Sequence, residues 1–153
     1  MKIKILSAAF AAAVVLTVAP ASAEDATIIE LTQTGCQFLE PENGVDRHYE
    51  TSRKVDCEVE NEISGEDRLA ASKVMSLKPG KYIFRVTNRD VPYDLGFWLR
   101  GEGIIGRTTL PSVSGGGLKT GVTKDYVIEL REGEYLYSCP LNPTPDYRIV
   151  VGG

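Results

Sequence analysis

The chain contains only one histidine, His48, and only two methionines among its 153 residues. A single imidazole excludes every site that takes two histidines from one chain. It also leaves no set of nucleophile, base and orienting group from which a catalytic centre could be assembled. We therefore expect a protein that is not an enzyme.

Long apolar runs are also scarce, and the one at residues 5–19 follows a positive start at Lys2 and Lys4. This run is shorter than the roughly 20 residues of a transmembrane helix. The small residues at 21–23 form the pattern that signal peptidase accepts. The sequence predicts a cleaved signal peptide at residues 1–23, a periplasmic or secreted location, and no membrane insertion after cleavage. Residues 24–153 are then one domain.

Basic residues are outnumbered by acidic ones. Loss of Lys2 and Lys4 with the signal peptide leaves 15 basic against 21 acidic side chains, a net charge of −6. Such a surface repels phosphate groups, which argues against nucleic acid and anionic membranes as partners.

The three cysteines of an exported protein allow one disulfide and one thiol. Cys36 and Cys57 lie close in sequence and flank a polar stretch, so we favour a disulfide between them, with Cys139 left free. The alternative is a disulfide between Cys36 and Cys139.

Most of the remaining sequence predicts short strands. Residues 27–33 alternate between apolar and polar, which is typical of a half-buried strand. A polar insertion follows at about residues 42–76, in which Ser64 and the acid three positions later predict a helix over residues 64–77. Turns rich in glycine, including a loop at 114–117, separate six further predicted strands, at residues 81–87, 93–100, 104–110, 124–131, 134–139 and 147–151. The pattern predicts an all-β sandwich with a helix-containing insertion after the first strand.

Four segments also resemble a known family, namely FLEP at 38–41, LKPGKYIFRVTN at 77–88, DVPYDLGF at 90–97 and GEYLYSCP at 133–140. In this order they resemble cupredoxins, the β-sandwiches that hold copper in plastocyanin and azurin, and the cupredoxin-like domains of bacterial periplasmic proteins. The resemblance covers most of residues 27–151 outside the insertion. It implies a Greek-key β-sandwich.

The ligand positions depart from that family. A type 1 copper site takes two imidazoles, a thiolate and a weak axial ligand. The resemblance places Cys139 at the ligand cysteine but Tyr93 at the first histidine. The loop after Cys139 offers Asn142, Asp146 and Tyr147 where histidine and methionine would stand. An ordinary type 1 copper site is therefore excluded within a monomer.

Two metal sites remain as hypotheses. In the first, the Cys139 thiolate binds copper or iron together with oxygen atoms of Tyr93 and Asp146. The alternative is that Cys139 is simply a small buried side chain. In the second, His48 binds a metal with the surrounding carboxylates; the alternative is a solvated loop. The carboxylates concerned are those of Glu40, Glu42, Asp46 and Glu50.

The aromatic residues Tyr93 and Trp98 are a third candidate, as a contact surface for a partner. The alternative is that Phe97 and Trp98 are plain core. Taken together, the sequence favours a non-enzymatic binding protein, accessory to a periplasmic metal-transport or redox partner. The alternative is a metalloprotein or electron carrier with an unusual copper or iron site at Cys139.

Overall fold

The computed structural model describes residues 25–153, so the predicted signal peptide lies outside the described residues. The helices of the described part are α1 (Lys54–Ala71) and α2 (Gly103–Thr109), and neither has the length and apolar composition of a membrane span. Its strands are, in chain order, β1 (Thr27–Thr34), β2 (Gln37–Phe38), β3 (Met75–Leu77), β4 (Gly80–Asn88), β5 (Leu95–Gly101), β6 (Val113–Leu118), β7 (Thr123–Leu130), β8 (Gly133–Ser138) and β9 (Tyr147–Val151).

These strands form two sheets, with the orders β2-β1-β4-β7 and β3-β9-β8-β5-β6. Alternation along β4 buries Tyr82, Phe84 and Val86, while the residues between them are more exposed. Phe84 of the first sheet packs against Phe97 of the second, with ring centroids 5.7 Å apart. The core thus lies between the sheets, and the predicted β-sandwich with a helix after its first strands is confirmed.

Helix α1 differs from its prediction at both ends. It begins at Lys54 rather than Ser64, because the Asp56 carboxylate accepts hydrogen bonds from the backbone N–H groups three and four residues earlier, at 3.1 and 2.8 Å. Ser64 lies inside the helix. The segment Met75–Leu77, predicted as helix, is strand β3 and pairs in parallel with β9.

The predicted strand over residues 104–110 is wrong, because Gly103–Thr109 forms α2. Its isoleucines, Ile104 and Ile105, are 86% and 78% exposed, so this apolar run does not enter the core. Gly101 and Gly106 let the helix begin directly against the end of β5, since a Cβ on either residue would clash with the backbone of the other.

The predicted loop at residues 114–117 belongs to strand β6, which pairs antiparallel with β5 through Ser114 opposite Trp98. A Cβ at Gly115 would lie 3.0 Å from the Tyr126 ring. Glycine here therefore serves the close approach of an aromatic ring to a strand, rather than a turn.

The insertion packs over one end of the sandwich, which we call the loop end. This end comprises the turn after β1, the β4–β5 connection and the β8–β9 loop. Cys36 and Cys57 form the predicted disulfide, which joins the turn after β1 to α1, and Cys139 is free. The Asn61 side chain of α1 donates a hydrogen bond to the Pro143 carbonyl at 2.8 Å. The insertion therefore closes the loop end rather than projecting from it.

Candidate functional site

Cys139 lies at the exit of β8 with only 1% of its surface exposed. Its Sγ accepts hydrogen bonds from the backbone N–H groups of Gly96, at 3.4 Å, and Asn142, at 3.2 Å. Burial raises the pKa of the Cys139 thiol, although these N–H groups oppose the change. The sulfur is therefore held as a neutral thiol inside the protein.

Asn142 is fully buried at the centre of the loop end. Its Nδ2 donates to the Thr34 carbonyl at 2.9 Å. Its Oδ1 accepts hydrogen bonds from the Cys36 N–H at 3.0 Å and from the Tyr93 hydroxyl at 3.2 Å, and lies 3.0 Å from the Cys57 sulfur. One amide thus joins β1, the disulfide, the β4–β5 connection and the β8–β9 loop.

Tyr93 is half-buried, and its hydroxyl also lies 2.8 Å from the Thr51 Oγ1 of the insertion. Burial raises the pKa of the Tyr93 phenol, with the Thr51 hydrogen bond opposing. Tyr93 is therefore a neutral hydrogen-bonding residue that links the insertion to Asn142. The metal-ligand and partner-contact roles of Tyr93 stay predictions.

Asp146 and Trp98 meet on the outside of the second sheet through Arg100. The Arg100 Nη2 donates to Asp146 Oδ1 at 2.7 Å, and its guanidinium lies 4.1 Å from the centre of the Trp98 ring. Trp98 is partly buried there, whereas Phe97 belongs to the core. A guanidinium thus already holds the Asp146 carboxylate.

Glu42 lies in a buried polar cluster. Its carboxylate accepts hydrogen bonds from Arg68 at 2.6 Å, Tyr147 at 2.5 Å and Arg47 at 2.9 Å. Burial alone would raise the pKa of Glu42, but these three donors outweigh it and hold that pKa below its usual value. The cluster ties α1 to β9 through Tyr147, and to the turn after β1 because Arg68 also donates to the Cys36 carbonyl at 2.9 Å.

His48 stands apart from that cluster, with 84% of its side chain exposed and its Nδ1 3.5 Å from the Asp46 carboxylate. It lines an open pocket of about 380 Å³ together with Asp46, Glu50 and Asp90. Among residues 25–153, no three histidine, cysteine or acidic side chains come close enough to hold a metal ion. Of the acids in the second hypothesis, Asp46 and Glu50 thus share this pocket with His48, whereas Glu42 lies in the buried cluster; a metal at His48 stays a prediction.

Comparisons with known proteins bear on the fold. No family model matches the sequence, and no curated protein matches it. Among solved structures, auracyanin B, a cupredoxin, matches with a TM-score of 0.51 over 84% of this chain and 90% of that chain. The chain has a cupredoxin-like fold. Since the two sequences are only 11% identical, the likeness shows the fold alone.

The donors at the loop end of this cupredoxin-like sandwich do not fit a type 1 copper ion. Such an ion takes two imidazoles with free lone pairs beside a thiolate. Here the amide oxygen of Asn142 already accepts two hydrogen bonds, and the one histidine lies in the exposed part of the insertion. The resemblance in fold therefore does not extend to the ligand set.

Sequence reasoning missed two residues that organise this region. The sequence marks Asn142 only as a replaced ligand, and no motif in it indicates Arg68. The sequence does place Arg68 beside Leu69 in the insertion, and a buried arginine needs an acidic partner such as Glu42. No sequence spacing connects Arg68 with Glu42, because the two residues meet only after the insertion folds back.

We expect Asn142→Ala to lower the free energy of unfolding by about 2 kcal/mol, because the Thr34 carbonyl and the Cys36 N–H would lose their buried partner. Leu141→Ala is the matched control, since this neighbouring side chain is 43% exposed and its loss should change stability by less than about 0.5 kcal/mol. Urea unfolding measures both. Equal losses in the two variants would contradict a bridging role for Asn142.

We expect the Cys139 thiol to react with iodoacetamide about 100-fold more slowly in the folded protein than in urea, because alkylation must wait for the site to open. The thiolate is the nucleophile, and burial raises the pKa of Cys139. The rate in the folded protein should therefore still rise with pH where that of a free cysteine has levelled off. Mass spectrometry of timed samples measures the rate; equal rates in both states would show an accessible thiol.

Proposed function

We propose that the protein is a non-enzymatic binding protein, exported to the periplasm or beyond, that uses a cupredoxin-like scaffold without a type 1 copper ion. In this proposal it is accessory to a partner protein in metal handling or redox chemistry. Its surface, rather than the interior of the loop end, makes the functional contacts.

The bridging role of Asn142 carries this proposal. At a position where the resemblance implies a metal ligand, the Asn142 amide instead uses both its oxygen and its nitrogen in hydrogen bonds that hold the loop end together. The half-buried Tyr93 phenol is likewise committed, to Asn142 and Thr51. Donors engaged in this way stabilise a closed structure, which supports a structural rather than a ligand-binding use of these residues.

The Cys36–Cys57 disulfide supports export, because such bonds persist in oxidising compartments and are rare in the cytosol. It also fixes the insertion over the loop end, where α1 and the β8–β9 loop meet through Asn61 and Pro143. A scaffold closed in this way offers a partner a rigid surface.

Elemental analysis of protein isolated from its native compartment, without affinity metal, tests the proposal. We expect copper and iron far below one equivalent both in the wild type and in a matched Cys139→Ser variant. One equivalent of either metal in the wild type, lost in Cys139→Ser, would overturn the proposal and favour a metalloprotein with Cys139 as a ligand.

A further inference from the structure

Helix α1 buries its polar side rather than its apolar one. The buried residues of α1 are Cys57, Gly65 and Arg68. Cys57 forms the disulfide with Cys36, and Arg68 pairs with the Glu42 carboxylate. Helices that pack on a core normally bury an apolar stripe. In α1 most of this role falls to a disulfide, a glycine and an ion pair, and the partly buried Leu69 near its end adds an apolar contact with the core.

The apolar stripe of α1 faces outward. Val55, Val59 and Ile63 follow each other at intervals of four residues, so their side chains lie one above another along one face. They are 41%, 52% and 75% exposed. At about 100° per residue, this face lies opposite the one that carries Cys57, Asn61 and Arg68. Scattered apolar residues on a surface are ordinary, but a continuous stripe on a helix is typical of a contact surface.

Acidic side chains border this stripe. Glu58, Glu62 and Glu66 run parallel to it, again at intervals of four residues, and all three are exposed. Glu58 pairs with Lys54 at 3.1 Å, whereas Glu62 and Glu66 form no ion pair within residues 25–153. The opposite border carries Asp67, which is also exposed.

We propose that the outward face of α1, formed by Val55, Val59 and Ile63 with its border of glutamates, docks into an apolar groove lined by lysine or arginine on a partner protein. This inference rests on the proposed function, for which it names the contact surface. An amphipathic helix that enters a groove places anchors at such spacings. Basic side chains at the rim of the groove would face the unpaired Glu62 and Glu66.

The acidic border of the stripe favours a basic groove over two other possible partners, a second copy of the chain and an anionic membrane. A second copy of the chain would bring two rows of glutamates together, and like charges in such a contact oppose association. An anionic membrane would repel the same row. A basic groove is the occupant that both the apolar stripe and its border favour.

The attachment of α1 to the sandwich suits this role. The disulfide, the Asn61–Pro143 hydrogen bond and the Arg68–Glu42 ion pair hold the helix in place before any partner arrives. A helix that is already folded and fixed loses little conformational freedom on binding, which favours affinity.

Photo-crosslinking in the cells that make the protein tests the contact. A benzophenone amino acid replaces Ile63 in one variant and Val127 in a control, since Val127 is 53% exposed on β7. We expect an adduct with a different protein from position 63 only, and mapped peptides that combine apolar residues with lysine or arginine. No adduct above the Val127 control, an adduct with a second copy of this chain, with lipid, or with an acidic or uncharged peptide would overturn the proposal.

The protein identified in that adduct is then purified and titrated against defined variants. We expect Val59→Asp to weaken binding about tenfold or more. Glu62→Lys should also weaken it and reduce its dependence on salt, while Glu129→Lys on β7 leaves both unchanged. Circular dichroism checks that α1 stays folded. Unchanged affinity in a folded Val59→Asp variant, or equal effects of the two glutamate substitutions, would overturn the proposal. Since these readouts do not involve metal, failure here leaves the copper-free scaffold standing and removes only α1 as its contact surface.

Discussion

Replacing Arg68 by methionine is expected to lower the free energy of unfolding by about 3–5 kcal/mol, the largest single effect that the structure predicts. Arg68 and Glu42 are each only 3% exposed, and the guanidinium donates three hydrogen bonds to the carboxylate at 2.6–3.2 Å. Methionine keeps much of the volume but leaves a buried carboxylate without its main partner. The Cys36 carbonyl would also lose a donor.

Arg85→Met is the matched control. Arg85 also makes two hydrogen bonds to a carboxylate, that of Asp125, but both side chains are more than a third exposed. Exposed ion pairs contribute about 1 kcal/mol or less, so this variant should lose no more than that. Chemical unfolding of the two variants compares buried and exposed pairs of similar geometry. Equal losses would show that burial of the Arg68 pair adds nothing.

The Arg68→Met effect should also depend on pH. The pKa of Glu42 lies below its usual value in the folded protein, so its ionised form stabilises the fold above the ordinary carboxyl pKa, and this contribution is lost as the pH falls through the folded pKa. In Arg68→Met the carboxylate can take up a proton and become neutral. The difference in stability between the wild type and the variant should therefore shrink below about pH 4. A difference that grows on acidification would contradict this assignment.

Loss of the Cys36–Cys57 disulfide is expected to lower the free energy of unfolding by about 3 kcal/mol. The two cysteines are 21 positions apart, and a closed loop of that size restricts the unfolded chain by about this amount. In the folded state, the disulfide holds α1 beside Asn142, whose Oδ1 accepts a hydrogen bond from the Cys36 N–H. Its loss should therefore also loosen the loop end, which hydrogen exchange of the β8–β9 loop would detect.

The double variant Cys36→Ala, Cys57→Ala measures this effect, and a reducing agent supplies the control. Reduction should destabilise the wild type to the level of the double variant and leave the variant unchanged. If a reducing agent lowered the stability of both proteins equally, the effect would not come from this bond.

The sandwich itself could be predicted from the sequence because apolar and polar residues alternate along the strands, and this alternation indicates which side chains are buried. Residues 27–33 and 81–87 were predicted as strands and lie in β1 and β4, whose residues pair side by side. The disulfide was also predicted from sequence proximity and confirmed. The strands depend on residues that are neighbours in the chain, and the disulfide is one contact with few possible pairings among three cysteines.

The helices could not be placed by the same reasoning. The start of α1 depends on the Asp56 carboxylate and not on Ser64, and its buried side is polar, so no apolar period indicates it. In α2, Ile104 and Ile105 suggested a strand, yet the close approach of Gly101 and Gly106 favours a helical turn. A local capping interaction at α1 and a close backbone approach at α2 therefore decide the two cases, and apolar periodicity reports neither.

The loop end escaped prediction for a related reason. The resemblance marked Tyr93 and Asn142 as replaced ligands but did not show what they do instead. Their roles arise from Thr34, Cys36 and Thr51, which no motif connects to them. Such hydrogen bonds join residues far apart in sequence, and they form only when the chain has folded around the loop end, so no local pattern predicts them.

Titration of the purified protein with copper(II), followed by visible absorption and electron paramagnetic resonance, tests the copper-free scaffold most directly. With Cys139 buried and Asn142 engaged by protein groups, one equivalent of copper should give no intense thiolate-to-copper absorption. The spectra of the wild type and of Cys139→Ser should then coincide. An intense band at one equivalent in the wild type, absent from Cys139→Ser, would contradict the account.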